Sequence, residues 1–197
     1  MYPGDLPPTI QRVSDLAAGD SLTASAVTLG CHTGTHVDAP AHFLAQGKMV
    51  HELRLESFFG PALVINLQGR GCIDQSAIKE LSIPFGYHIF FKTDNGALLK
   101  EKVFSKESCV LSKSAAEQLS QLNPLSIGWD YYSLDPVEES NTYPAHTVLA
   151  QSNIPVFVCL NLGEVLEGQY GFSGFPLRLE SVEGAPVRAI LFSGGKG

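Results

Sequence analysis

The sequence predicts an α/β or α+β fold organised around a mixed β-sheet, and three observations support this prediction. Short apolar runs at 61–68, 87–93 and 154–162 are rich in β-branched and aromatic residues, which is typical of buried strands. Helical patterns separate these runs in the middle of the chain, whereas both ends contain mostly strand patterns. Because 197 residues with 44% hydrophobic side chains can bury a sizeable core, we expect a single domain over 1–197.

The first part of the chain is expected to be mostly extended. Residues 1–12 are rich in proline and glycine, which predicts extended or turn structure because proline fixes φ and removes a backbone donor. Residues 20–31 alternate small polar and apolar side chains, which indicates a strand. A short helix is expected near 55–58, and Asp74 can cap a second helix over 74–81.

The second half of the chain is predicted to contain a longer helix. Residues 112–122 predict this helix because Ala115 and Leu119 share one face and Ser112 can serve as the N-cap. The other expected elements are, in order, a strand at 126–131, a helix at 144–151 and strands at 175–179 and 186–192. A Glu-Gly turn divides the last two strands.

Charge and composition exclude several classes of function. The net charge of −7, without any run of basic residues, argues against nucleic acid or an anionic membrane as a partner. The N-terminus has no signal-peptide pattern, and no segment approaches the roughly 20 apolar residues that a membrane helix needs. The cysteines are scattered without a C-x-x-C pair, which favours reduced thiols and a cytoplasmic location.

Residues 31–43, which read CHTGTHVDAPAHF, hold a dense set of metal-binding side chains. His32, His36, Asp38 and His42 fall within eleven residues, and imidazole with carboxylate is a common donor set for Zn or Mn. Glycine and proline keep the segment out of a regular helix, so a bent loop could direct these side chains at one point. A metal there would make water a nucleophile, and His42 could be another ligand or a general acid/base. The alternative is a polar loop without metal.

The run from His32 to Phe43 matches H-x-G-T-H-x-D-x-P-x-H-F, which is the signature of the cyclase-like metal-dependent hydrolases. This family includes bacterial kynurenine formamidase and isatin hydrolase. Further segments that resemble the family are YPGD at 2–5 and the stretches 60–67, 126–136, 146–160 and 175–191. The resemblance implies a swivelling β/β/α domain with a mixed, partly barrel-like sheet that forms a homodimer or homotetramer. Family members usually carry another strand before YPGD, and its absence would leave a sheet edge for a neighbouring subunit.

The resemblance also implies roles for individual residues. The implied metal ligands are His32, His36, Asp38 and, less firmly, His146. His42 corresponds to the last histidine of the motif and is expected to move protons. Phe43 and Tyr2, which adjoin matched motifs, are expected to line the substrate pocket.

The expected metal content is one divalent ion, Zn or Mn, per site. In the two-zinc formamidases a glutamate follows the later histidine by twelve positions, and the same count from His146 leads here to Val158. Valine cannot bind a metal, so a single ion is the better expectation. The reaction that the resemblance implies is metal-dependent hydrolysis of a small aryl amide, such as the formamide of N-formylkynurenine. The alternatives are a cyclic amide or lactone substrate, or a non-catalytic member that binds a metal or ligand.

Overall fold

The computed structural model describes residues 4–101, 104–136 and 142–193, and its main feature is an eight-stranded mixed sheet that curls into a half-barrel. The strands of the chain are β1 Thr9–Ser14, β2 Ala24–Thr28, β3 His36–Asp38, β4 Phe59–Asn66, β5 Cys72–Ile73, β6 His88–Lys92, β7 Val110–Leu111, β8 Ser126–Trp129, β9 Val156–Val158, β10 Gly168–Ser173, β11 Gly184–Pro186 and β12 Ile190–Phe192. The α-helices are α1 Gln75–Lys79, α2 Asn95–Glu101, α3 Lys113–Gln121 and α4 Pro144–Gln151. The predicted α/β fold with a mixed sheet is confirmed.

The large sheet has the strand order β11-β3-β9-β8-β6-β4-β10-β12. Its centre is parallel, because β4, β6, β8 and β9 pair in the same direction, and its outer strands pair antiparallel. Two small sheets accompany it: the antiparallel β1–β2 hairpin and the parallel β5–β7 pair. No helix in the part of the chain that the structure describes is both long and apolar enough to cross a membrane.

The two faces of the sheet have separate hydrophobic cores. Side chains alternate between the faces of a strand, so Ile89 and Phe91 pack on the helical side while Phe90 packs on the other. On the helical side these residues meet Leu119 of α3 and Leu149 of α4, all fully buried. The site described below lies on this helical side, at the strands β3 and β9.

Local sequence explains where the helices begin. The carboxylate of Asp74 accepts a hydrogen bond from the amide of Ala77 at 2.9 Å, which caps α1. The hydroxyl of Ser112 accepts one from the amide of Ala115 at 3.1 Å and caps α3. Both predicted N-caps are therefore confirmed, as is the helix at 144–151.

Several predicted elements were wrong or missed. Residues 175–179 form no strand, and only the isolated bridge between Pro176 and Val187 remains there. The predicted strand at 186–192 is divided, because Pro186 ends β11 at one edge of the sheet and Ile190 begins β12 at the other. Curling into a half-barrel allows a short connection to join the two edges. The helix α2 and the strand β10 were missed.

The histidine-rich stretch also differs from the bent loop that the sequence suggested. Its centre is the strand β3, and a short 3-10 helix over Pro40–His42 follows it. The N-terminal region contains the strand β1, which pairs with β2 outside the large sheet, whereas extended or turn structure was expected over 1–12. The short helix expected near 55–58 is a 3-10 helix over Leu55–Ser57.

Candidate metal centre

The strand β3 carries two of the candidate ligands on one face. His36 and Asp38 are two positions apart, and residues with this spacing on a strand point to the same side. Each is only 5% exposed. Nε2 of His36 lies 3.3 Å from Oδ1 of Asp38. The strand is flanked by β9 and β11, so its position is set by pairing on both sides.

His32 joins this pair from the turn before β3. Its Nδ1 lies 2.8 Å from Oδ1 of Asp38. One potential ligand atom from each of His32, His36 and Asp38 lies within 4.8 Å of the other two. The structure thus brings together the three residues that the motif singled out as metal ligands.

His146 reaches the other oxygen of the same carboxylate from helix α4. Its Nε2 is 4.0 Å from Oδ2 of Asp38, and the residue is 2% exposed. Its Nδ1 lies 2.6 Å from Oδ2 of Asp135, which also accepts a hydrogen bond from the His146 amide. The other oxygen of Asp135 accepts from the amide of Ala145. Asp135 therefore holds both the helix end and the imidazole, a role that the sequence analysis missed.

In His36 and His146, the ring nitrogen that points away from Asp38 is hydrogen-bonded, and this bond fixes which nitrogen faces Asp38. Nδ1 of His36 lies 2.7 Å from the carbonyl oxygen of Gly34, which can only accept, so this nitrogen carries the proton. In neutral His36 the lone pair on Nε2 then points at a carboxylate, and the same holds for His146. Lone pairs and an anion that converge in this way attract a cation. The donor set therefore fits a divalent metal.

The charges within the cluster stabilise an ionised Asp38. Burial alone would raise the pKa of Asp38, but His36 and His32, when protonated in place of a bound cation, hold it well below its usual value through their charges and hydrogen bonds. Burial would lower the pKa of His32, yet its hydrogen bonds with Asp38 and Glu183 raise it. A buried carboxylate that stays ionised is the strongest attraction for a cation in this cluster.

His42 lies at the mouth of the cluster and is exposed. Its ring stacks on that of His32 with 4.0 Å between the centroids. Burial of the ring lowers the pKa of His42, so its imidazole is neutral at pH 7 and can accept a proton. Among the described residues, neither ring nitrogen of His42 has a hydrogen-bond partner. Unlike the rings of His36 and His146, the ring of His42 is thus positioned by contacts with neighbouring rings, those of His32 and Phe43.

A cavity of about 690 Å³ opens beside these side chains. Phe43 forms one wall, with its ring centroid 4.4 Å from that of His146 and 5.4 Å from that of Tyr143. Other residues around the cavity are Lys113, Tyr132, Ser133, Thr147 and Gln151. The volume and the aromatic wall suit a small aromatic molecule. Tyr2, the other residue expected in the pocket, lies outside the described residues.

Val158 lies beside the candidate ligands. It is the strand partner of His36 in the antiparallel pairing of β3 with β9, so both side chains share one face of the sheet. The next residue, Cys159, is buried, and burial together with the charge of Asp38 raises the pKa of its thiol to about 12. Its thiol is therefore neutral. Neither residue provides a carboxylate on this side of the cluster.

Glu183 was missed by the sequence reasoning and stands on the opposite side. Its Oε1 lies 3.2 Å from Nε2 of His32. Ligand atoms of His32, His42 and Glu183 lie within 4.8 Å of one another, which makes a second group that could hold a metal. No local pattern marks Glu183 in the sequence, since it follows His32 by 151 positions.

Comparison with known proteins gives consistent similarities. Residues 4–136 match the cyclase family model. A kynurenine formamidase from Geobacillus thermodenitrificans (strain NG80-2) is 32% identical over 191 residues, which cover 97% of this chain and 90% of that protein. The solved structure of a predicted metal-dependent hydrolase from Bacillus stearothermophilus is 28% identical, with a TM-score of 0.78 over 93% of this chain and 86% of that chain. Isatin hydrolase A from Labrenzia aggregata, bound to benzyl benzoate, has a TM-score of 0.82 over 98% of this chain and 85% of that chain. At 20% identity it shows a shared fold.

Proposed function

Because the chain belongs to the cyclase family, we propose that it is a metal-dependent hydrolase that cleaves the C–N bond of a small aryl amide. The observation that carries the proposal is the convergence of His32, His36 and His146 on the buried carboxylate of Asp38, at the edge of a cavity. An arylformamide is the best-supported substrate class, since a relative with 32% identity over nearly the whole chain is a kynurenine formamidase.

The protein side chains supply a pre-oriented site. A divalent metal bound there would supply Lewis acidity, which lowers the pKa of water and polarises a carbonyl oxygen. Asp38 would offer the negative charge, and His32 and His36 would complete the set, with His146 as a further ligand. The carbonyl of Gly34 and the carboxylate of Asp135 hold two of these rings in place, so little ordering remains when a metal binds.

His42 is the residue that moves protons in this proposal. Its neutral imidazole takes a proton from the attacking water at a ring nitrogen and returns it to the leaving nitrogen of the amide. The wall of Phe43 and Tyr143 would hold the aromatic ring of the substrate and exclude water from one side. Lys113, the basic residue at the cavity, could attract an anionic substituent on that ring system.

We propose one ion per chain, Zn or Mn. The donor set of imidazole and carboxylate suits both metals. A second ion on the β9 side would need a carboxylate near His146, and the side chain at that place is Val158. A buried valine leaves this side of the cluster without an oxygen ligand.

A cyclic amide or lactone is the second candidate substrate class. The fold shared with isatin hydrolase A favours it, because that protein is named for the hydrolysis of isatin, which is a cyclic amide. The cavity of about 690 Å³ has room for either substrate. Rates of hydrolysis of an open-chain formamide and of a cyclic amide or lactone distinguish the two substrate classes.

We also propose that the protein assembles as a homodimer or homotetramer through the β1–β2 hairpin. Ile10 and Val27 are cross-strand partners on one face of the hairpin, and they are 78% and 57% exposed. Leu6 and Leu16 in the same region are also more than half exposed. Burying each such side chain against a second copy would stabilise the assembly by about 1.5–3 kcal/mol.

The proposed function is tested by metal analysis and turnover. Protein purified without added metal should contain about one equivalent of Zn or Mn, and it should hydrolyse at least one compound in a panel of aryl formamides, cyclic amides and lactones. Asp38→Asn should lose the metal and the turnover while keeping the fold, as judged by circular dichroism. Metal-loaded protein that is inert on the whole panel would support a non-catalytic binding role and exclude the hydrolase.

A further inference from the structure

We propose that Glu183 is a positioning residue that fixes the imidazole of His32 so that Nδ1, and not Nε2, faces the metal. The inference rests on the metal centre of the proposed function. Oε1 of Glu183 accepts a hydrogen bond from Nε2 of His32 at 3.2 Å, on the side of the ring away from Asp38. The side chain of Glu183 is 40% exposed, so it contacts the site from its rim.

The other two histidines around Asp38 show the same arrangement. Nδ1 of His36 donates to the carbonyl oxygen of Gly34, and Nδ1 of His146 donates to Asp135. In each ring the nitrogen that faces away from Asp38 has an oxygen partner. Histidines that bind metals generally donate their second N–H to a carboxylate or carbonyl, which sets the tautomer and makes the ligand more basic. Glu183 completes this pattern for the third ring.

The ring of His32 belongs to two possible metal-binding groups, and Glu183 decides between them. One group contains His36 and Asp38, and the other contains His42 and Glu183 itself. A neutral imidazole has one lone pair, so a proton on Nε2 leaves Nδ1 to bind the metal beside Asp38. The group with His36 and Asp38 is the buried one, since each of these two residues is only 5% exposed. The hydrogen bond with Glu183 therefore favours the buried position.

The backbone holds Glu183 in register with the ligands. Its carbonyl oxygen accepts a hydrogen bond from the amide of Ala39 at 2.8 Å. The next residue, Gly184, is the strand partner of Asp38 in the pairing of β11 with β3. A Cβ at Gly184 would lie 2.6 Å from Cε1 of His32, so a glycine is required for the ring to pack against this strand. The pairing of β11 with β3 thus positions both Asp38 and Glu183.

The first test is the affinity for Zn²⁺, measured by competition with a chromogenic chelator. Glu183→Ala should weaken binding by about 10–100-fold while one ion per chain still binds. Glu183→Gln should recover part of this loss, because its amide oxygen can still accept from Nε2. Glu180→Gln, at an exposed glutamate three positions before Glu183, is the matched control and should bind Zn²⁺ as the wild type does. Without metal, the Glu183 variants should unfold at the same midpoint as the Glu180→Gln control.

The second test is the tautomer of His32 in the zinc-loaded protein, read from long-range ¹H–¹⁵N NMR spectra. The wild type should show a protonated Nε2 and a metal-bound Nδ1. Glu183→Ala should shift the ring towards the other coordination or give two populations. A structural role elsewhere in the protein would not change this signal.

Three outcomes would overturn the inference. The first is an affinity of Glu183→Ala equal to that of Glu180→Gln, and the second is metal binding by the wild type through Nε2 of His32. The third is the loss of one of two bound ions in Glu183→Ala, which would make Glu183 a ligand. A wild type that binds no Zn²⁺ would overturn both this inference and the proposed function. Tight Zn²⁺ binding without turnover would remove the hydrolase alone.

Discussion

Asp135 is the residue whose replacement best tests how the site is held together. It is 1% exposed and lies at the N-terminal end of helix α4, although it precedes that helix in the chain. Its Oδ1 accepts a hydrogen bond from the amide of Ala145, and its Oδ2 accepts two, from the amide and from Nδ1 of His146. The substitution Asp135→Asn keeps the size of the side chain and changes only these hydrogen bonds.

The expected loss follows from counting donors and acceptors. The amide oxygen of asparagine can replace Oδ2 and keep both bonds to His146, but its NH₂ group then faces the N–H of Ala145. Leaving that buried donor without an acceptor costs about 1–3 kcal/mol. Loss of the negative charge weakens the two remaining bonds and adds roughly 1 kcal/mol. We therefore expect Asp135→Asn to lower the free energy of unfolding by about 2–4 kcal/mol.

Urea unfolding at pH 7 in the presence of a chelator measures this loss without a contribution from metal. Asp74→Asn is the matched control, because it makes the same change at the exposed N-cap of α1, where asparagine is also a good cap. The control should shift the midpoint far less than Asp135→Asn does. Equal shifts, or a loss below about 0.5 kcal/mol for Asp135→Asn, would refute the account of Asp135 as a buried triple acceptor.

Two further predictions concern acid stability and assembly. Burial lowers the pKa of His88 from 6.5 to about 4, so the unfolded chain takes up this proton first as the pH falls below 6.5. The free energy of unfolding should therefore decline by about 3 kcal/mol between pH 6.5 and 4 because of this group. In His88→Leu, the urea midpoint should decline less steeply over the same pH range. Identical slopes of midpoint against pH for the wild type and His88→Leu would contradict this. For assembly, Ile10→Lys should shift the protein towards monomer in size-exclusion chromatography with light scattering, whereas Gln11→Lys on the opposite face should not. An oligomer unaffected by Ile10→Lys would place the interface elsewhere.

The elements predicted correctly are those whose cause lies within a few residues. Asp74 and Ser112 cap helices because their oxygens reach amides three positions on. The run at 87–93 has an apolar centre over Ile89, Phe90 and Phe91, as expected for a strand covered on both faces. Residues 175–179 looked equally strand-like, yet no neighbouring strand pairs with them. Periodicity indicates which faces are apolar and contains no information on which partner is available.

The sequence by itself indicated the local part of the candidate ligand set around Asp38. His36 and Asp38 share a face because they are two positions apart on a strand, and the motif kept His32 and His42 close along the chain. The resemblance to a family added His146 but not its partner.

Only the tertiary structure decided how these ligands are oriented. Asp135 and Glu183 become neighbours of His146 and His32 through helix packing and the pairing of β11 with β3, across separations of 11 and 151 positions. Strand order and register depend on the free energy of the whole packed sheet, which no local window of sequence expresses. The hydrogen bonds that select which histidine nitrogens face Asp38 are therefore a property of the folded chain.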